Sequence, residues 1–163
     1  GLKTVFRKDG TVTAGNASGI NDGAAAIVLA RGDAAAKAGL TPRARVIGYA
    51  HAGVRPEVMG IGPVPAVENL LKRTGLKITD FDVIESNEAF AAQAIAVNKG
   101  LGLDPAKVNP NGGAIALGHP VGATGAIITV KALYELERIG GKRALITMCI
   151  GGGQGIALAI ERI

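Results

Sequence analysis

Three side chains stand where this sequence could do chemistry: Asn87, His119 and Cys149. Cys149 is the only cysteine, so no intrachain disulfide forms, and its thiol is either inert packing or a reactive group. It lies at the end of an apolar run, with only Ile150 between it and Gly151-Gly152-Gly153. Glycine lets a backbone take positive φ and come close to a ligand, presenting N–H groups that can hold an anion or an oxyanion. A thiol beside such donors can have its pKa lowered and serve as nucleophile or proton carrier; on a strand it is otherwise a small buried hydrophobe. His119 lies in a second glycine-rich loop, residues 112–122, held extended by Pro120 and placed before a helix starting near Ala123. The partial positive charge of that helix end opposes an imidazolium and favours a nearby thiolate or oxyanion; the alternative is a core histidine bonded to a carbonyl. Asn87 falls at a strand-to-helix corner, where it could cap the helix or fix a water or a substrate oxygen. His51 has no such context and reads as structural.

These loops need strands and helices to hold them. Short apolar runs alternate with helical patterns, which predicts an α/β layer structure with helices on both faces of a mainly parallel sheet. Five strands are expected, over residues 24–30, 45–49, 81–85, 143–150 and 155–160. The first is apolar throughout and reads as a central strand buried on both faces. The last two are joined by residues 151–154, too short for a helix, so they return antiparallel and make the sheet mixed. Helices are expected over 33–37, from Pro65 to Gly75, from the 86–88 corner to about Asn98, and from about Ala123 to Arg138. In the last of these, Ile127, Val130, Leu133 and Tyr134 form the apolar side, and Lys131 and Glu135 are spaced to pair on the outer face.

Composition bounds the rest. With 163 residues the chain has one core and one domain. Hydrophobic residues are 48% and charged residues 19%, which excludes disorder; 11 of the 25 glycines fall between Gly112 and Gly155, so the glycine is loop chemistry and not a collagen repeat. The net charge of +5 comes from scattered Lys and Arg, and aromatics are only 3%, so no nucleic-acid partner is expected. No apolar run approaches the roughly 20 residues that span a bilayer, so no membrane anchor is expected. Gly1 replaces an initial Met and residues 2–7 lack a signal-peptide pattern. The expectation is a piece of a longer, bacterial-type cytoplasmic protein, with organellar import left open.

Asn87-Glu88-Ala89-Phe90, residues 112–120 and residues 149–153, in this order and spacing, closely resemble the carboxy-terminal half of the thiolases, the acetyl-CoA acetyltransferase group. Residues 11–19 and 58–63 are similar to that family's pantetheine segments. The resemblance implies a βαβαβαββ half of the layered thiolase fold, with residues 1–163 as the carboxy-terminal domain. It implies reversible condensation and thiolysis of 3-ketoacyl-CoA, by two-step acyl transfer through an acyl-cysteine. By the family pattern Cys149 is the acid/base thiol that removes the α-proton of acetyl-CoA. His119 activates the nucleophilic thiol and donates to the thioester oxygen, Asn87 anchors a water beside it, and the Gly151 N–H supports the acyl-enzyme oxyanion. Ala14, Ala17, Ser18, Met59, Ala89 and Phe90 line the pantetheine channel. Coenzyme A enters as substrate and product, with no further cofactor and no metal; the expected partners are acyl-CoA, an amino-terminal half, and other copies in a homodimer or homotetramer.

Two departures stand out. The family's nucleophilic cysteine lies in the amino-terminal half, and this chain has no second Cys, so alone it is not expected to form the acyl-enzyme. Thr124 stands where the family commonly has Ser, a mild change expected to affect only the helix cap. The alternative reading is a non-catalytic thiolase-like domain that binds acyl-CoA or mediates subunit association. The retention of Asn87, His119 and Cys149 together argues against it. A ketoacyl synthase fits less well, because its usual Cys-His-His set does not match Cys149 with Asn87.

Overall fold

A computed structural model describes residues 1–163. The two runs joined by glycine form the hairpin that the short connection predicts: β3 (Arg143–Ile150) and β4 (Gln154–Arg162) pair antiparallel from Arg143↔Glu161 to Ile150↔Gln154. Gly152 and Gly153 take φ of 85° and 94° in the turn, a conformation that L side chains rarely adopt. Outside the hairpin, β1 (Ala44–Gly53) pairs antiparallel with β4, and β2 (Val83–Ser86) pairs parallel with β3. The result is a mixed four-stranded sheet in the order β1-β4-β3-β2. Only the β2–β3 pair is parallel, and the connection between them, residues 87–142, carries the crossover helices that a parallel pair needs.

The fifth expected strand is not in this sheet. Residues 24–30 form no ladder, and Val28 and Leu29 are 88% and 79% exposed. Continuous apolar character reports that a segment is built for burial; it does not report which chain supplies its neighbours.

Helices cover both faces, as expected. Alternation along the strands sends Ile84, Leu145, Ala157 and Ala159 to one face, where Ala66, Val67 and Leu70 of α2 (Pro63–Thr74) pack with Phe81. Val83, Ala144, Ile146 and Ile160 face the other way, onto Ile128, Ala132 and Leu136 of the long carboxy-terminal helix, Thr124–Ile139. The helix Ala91–Leu101 packs outside α2 and against the short 3-10 segment Pro56–Ile61. In chain order the helices are therefore α1 (Gly32–Lys37), α2, α3 (Ala91–Leu101), the single turn α4 (Ala114–Leu117) and α5 (Thr124–Ile139).

Two expectations about α5 are corrected. Its sheet-facing stripe is 128/132/136, shifted from the expected 127/130/133/134, and Tyr134 is 57% exposed. Small side chains at Ala132 and Ala144 let the helix approach along that line. Lys131 does not pair with Glu135: its Nζ lies 2.9 Å from Glu85 Oε2, while Glu135 binds Arg138 and Asn111. An exposed i,i+4 pair stabilises by only about 0.3–0.5 kcal/mol, whereas a carboxylate buried in β2 demands a partner.

The start of α2 lies directly against β4. A Cβ on Gly155 would overlap the carbonyl group of Gly62, and one on Gly62 would overlap the backbone of Gln154. Gly155→Ala is therefore expected to cost about 2–3 kcal/mol, because backbone cannot give way as a side chain can. Gly32→Ala, where a Cβ meets open space, is the control and should stay within about 0.5 kcal/mol in denaturant unfolding.

Candidate active site

The parallel strands β2 and β3 end side by side, at the sheet edge where open α/β folds place ligands. Their ladder closes at Ser86↔Thr147, and the Asn87 N–H extends it by donating to the Thr147 carbonyl at 3.0 Å. Cys149 sits two residues further along β3, opposite Gly155. The outer edge of β2 is held by Asn109 in place of a strand. Ser86 N–H donates to its Oδ1 at 2.9 Å, its Nδ2 donates to the Ser86 carbonyl at 2.8 Å, and its N–H donates to the Ile84 carbonyl at 2.8 Å. Asn109 is the one non-glycine residue at positive φ, 46°.

The glycine loop delivers His119 to this edge. Its N–H donates to the Gly19 carbonyl at 3.0 Å and to Asn21 Oδ1 at 3.2 Å, so the amino-terminal segment holds the loop in place. Gly118, at φ 97°, leaves room for Asn21 where a Cβ would overlap it. The imidazole then lies between two side chains, with Nε2 3.4 Å from Asn87 Nδ2 and Nδ1 2.7 Å from Thr124 Oγ1. Asn87 does not cap α3, which begins four residues later; its Oδ1 is buried without a partner. Nor does Thr124 cap α5, whose N-cap is Ala123. Its hydroxyl instead bonds the Pro120 carbonyl at 2.9 Å and meets the histidine.

Burial holds the His119 imidazole below its ordinary pKa, so the ring is neutral at pH 7. Burial likewise pushes the Cys149 thiol up, against a smaller opposing contribution from its own backbone N–H. The lowering that the glycine loop suggested is therefore not found, because Cys149 is enclosed by the sheet and only 7% exposed. A resting thiol that ionises reluctantly gives a stronger base once it has lost its proton. Gly151, two residues on, is exposed, with open space where a Cβ would project.

Four of the six expected channel residues, Ala17, Ser18, Ala89 and Phe90, gather at the start of α3. Ser18 N–H and Oγ both donate to the Ala89 carbonyl, at 3.1 and 3.2 Å, and Ala17 bridges Phe90. Phe6 meets the Phe90 ring edge-on at 5.9 Å. Met59 belongs to the 3-10 segment whose Gly60 packs on Gln93. Ala14 lies exposed on the preceding turn.

A cavity of about 290 Å³ adjoins the site, lined by Asn21, Glu85, Asn87, Asn109, Thr124 and Lys131 among others. Glu85 is 1% exposed, and Lys131 reaches both its carboxylate and the Gly112 carbonyl, the latter at 2.6 Å. Reading the sequence missed the roles of Asn21, Glu85, Asn109 and Thr124. The one available signal was Glu85 itself, an acid ending the apolar run of β2. No three His, Cys, Asp or Glu side chains come together as metal ligands, and no helix is long and apolar enough to cross a membrane.

A mixed sheet with helices on both faces, an imidazole and a carboxamide in contact where β2 ends, and a buried thiol on the adjoining strand define an α/β domain. The family model described as "Thiolase, C-terminal domain" matches residues 40–162, and "Thiolase, N-terminal domain" matches residues 1–33, so the chain belongs to the thiolase family. It is 66% identical over 163 residues to beta-ketothiolase BktB of Cupriavidus necator and 62% identical over 164 residues to beta-ketoadipyl-CoA thiolase of Pseudomonas putida; in each case 99% of this chain aligns. The chain spans 41% of the length of these relatives. Among solved structures it is similar to Bacillus anthracis acetyl-CoA acetyltransferase, with TM-score 0.97 at 53% identity over 100% of this chain and 41% of that one. Human mitochondrial 3-ketoacyl-CoA thiolase in complex with CoA gives TM-score 0.92 at 50% identity, over 99% and 41%.

Proposed function

We propose that this chain is the carboxy-terminal part of an acyl-CoA:acetyl-CoA C-acyltransferase that condenses and cleaves 3-ketoacyl-CoA reversibly. The observation that carries the reading is the contact of Asn87 with the neutral His119 ring at 3.4 Å, at the sheet edge that Cys149 shares. An amino-terminal half supplies the nucleophilic thiol. In the first step that thiol loses its proton to His119 Nε2 and attacks the acyl-CoA carbonyl, and coenzyme A departs as the thiolate and takes a proton from water, leaving an acyl-cysteine beside the imidazolium. In the second, the Cys149 thiolate removes the α-proton of acetyl-CoA, and the carbanion attacks the acyl-cysteine. The 3-ketoacyl-CoA forms, and the nucleophilic sulfur leaves and takes back its proton from His119 Nε2. The protonated His119 Nε2–H and a water held by Asn87 stabilise the thioester oxygen that gains charge, and the Gly151 N–H does so for the acyl-enzyme.

Ala14, Ala17, Ser18, Met59, Ala89 and Phe90 form the pantetheine side of the site. Coenzyme A is substrate and product, with no resident cofactor, and the protein works in the cytoplasm as a homodimer or homotetramer. The exposed Val28 and Leu29, and the outward Tyr134 and Ile139 of α5, support a covering amino-terminal half. The test uses the polypeptide that carries both halves, with CoA-dependent cleavage of acetoacetyl-CoA as the assay. Cleavage should fall about 10²-fold in His119→Asn while calorimetric CoA affinity holds. CoA binding with no turnover in the unsubstituted protein would instead favour a non-catalytic acyl-CoA-binding domain.

A further inference from the structure

We propose that Thr124 is a positioning residue that fixes the tautomer of His119, keeping the proton on Nδ1 and leaving the Nε2 lone pair for the reaction. The catalytic consequence rests on the acyl-transfer reading above; the tautomer itself rests only on hydrogen-bond directions.

A threonine hydroxyl has one hydrogen to give. Thr124 Oγ1 lies 2.9 Å from the Pro120 carbonyl, which can only accept, and 2.7 Å from His119 Nδ1. With its hydrogen on the carbonyl, the hydroxyl turns a lone pair to Nδ1, which must donate. The far side of the ring agrees: Asn87 Nδ2, which can only donate, faces Nε2 at 3.4 Å. The bonds therefore run in one direction, from the Asn87 amide to Nε2, from Nδ1–H to Thr124, and from Thr124 to Pro120. Nothing in that chain has freedom to reverse alone. Thr124 is 3% exposed and opens α5, and Asn87 is 2% exposed and tied through its N–H to β3.

The choice of tautomer decides what the ring can do. With Nδ1 protonated, Nε2 is an acceptor that can give up its 3.4 Å contact with the Asn87 amide and take the proton of the incoming thiol, and the imidazolium Nε2–H that results can donate to the thioester oxygen. The bond to Thr124 survives both states. With the proton on Nε2 instead, the ring meets the thiol with a hydrogen and cannot act as its base.

The test compares the polypeptide carrying both halves with its Thr124→Val and Thr124→Ser variants, using long-range ¹H–¹⁵N spectra of the imidazole above its titration. His119 is assigned by comparison with His119→Asn. The expected result is an Nδ1–H pattern in the unsubstituted protein and in Thr124→Ser. Thr124→Val should show a shift toward Nε2–H and a loss of thiolysis of about tenfold or more, which Thr124→Ser reverses. An Nε2–H pattern in the unsubstituted protein overturns the proposal, as does Thr124→Val with the tautomer unmoved. The first of these decides the matter even where Thr124→Val does not fold. A tautomer that shifts in a protein without thiolysis activity would sink the acyl-transfer reading and leave the role of Thr124 standing.

Discussion

Cys149→Ala, in the polypeptide that carries both halves, is expected to lower condensation and thiolysis by roughly 10²–10⁴-fold, the range for removing a positioned acid–base group. That corresponds to about 3–5 kcal/mol of transition-state stabilisation. CoA affinity should hold, because Cys149 is buried in the β3–β4 ladder and the expected pantetheine contacts lie at the start of α3. The two half-reactions should separate. Acyl transfer to the amino-terminal thiol needs His119 but not Cys149, so intact mass after mixing with acetyl-CoA should show an acetyl adduct that persists in Cys149→Ala. Cys149→Ser should recover little, since a hydroxyl is a far weaker proton carrier near neutral pH. Burial pushes the thiol above its ordinary value, so the thiolate grows only at alkaline pH. Condensation by the unsubstituted protein should therefore rise with pH through and beyond the usual thiol range near 8.5. The fold pulls the other way. The unfolded thiol ionises first, so stability from this group is complete below its unfolded pKa and is lost as pH rises toward the folded one. Undiminished turnover in Cys149→Ala would remove the residue from the mechanism.

The parts of this structure that local rules control were legible in the sequence. Arg143–Ile150 is a strand with the expected bounds, and the following glycines turn it back because Gly152 and Gly153 must take positive φ. The three side chains picked out for chemistry were found through loop punctuation, and the structure places Asn87 against His119. What stayed hidden depends on partners distant in sequence. Thr124 looked like a helix cap because caps are local; its contact with the ring depends on how the loop enters α5. Asn109 serves as an edge strand for β2, and nothing in its immediate neighbours announces a side chain that imitates backbone. The sheet-facing stripe of α5 was misplaced because the helix carries apolar residues on more than one side, and periodicity cannot rank two apolar faces. The run 24–30 was read as a central strand from its continuous apolar character, but it forms no strand and nothing in these residues covers it.

Lys131→Met is expected to be the most destabilising single substitution away from the reacting groups, at about 3 kcal/mol. Glu85 is 1% exposed, with one carboxylate oxygen on Lys131 and the other unpartnered, so removing the ammonium leaves a buried charge with nothing to meet it. Breaking a buried pair from one side typically costs 3–5 kcal/mol, and the lower end applies because the Lys131 side chain keeps 21% of its exposure. The carboxyl can escape by taking a proton, which makes the loss depend on pH. Burial already pushes Glu85 above its usual range, Lys131 opposes that, and the nearby Glu135 and Glu88 add to it. A group whose folded pKa is raised contributes fully below its unfolded value, near 4.5, and loses that contribution as pH rises through the folded one. Denaturant midpoints of variant and unsubstituted protein should accordingly lie closer together at pH 5 than at pH 8, and Glu85→Gln added to Lys131→Met should restore most of the stability. Equal gaps at the two pH values, or no restoration, would show that Lys131 acts through packing alone. The pair also bears on the site. Glu85 stands two residues before Asn87, and Lys131 holds the Gly112 carbonyl at the start of the loop that carries His119. Losing the ammonium thus frees both sides of the Asn87–His119 contact, so Lys131→Met should lower kcat by more than Gly155→Ala does, although neither residue touches the reacting atoms.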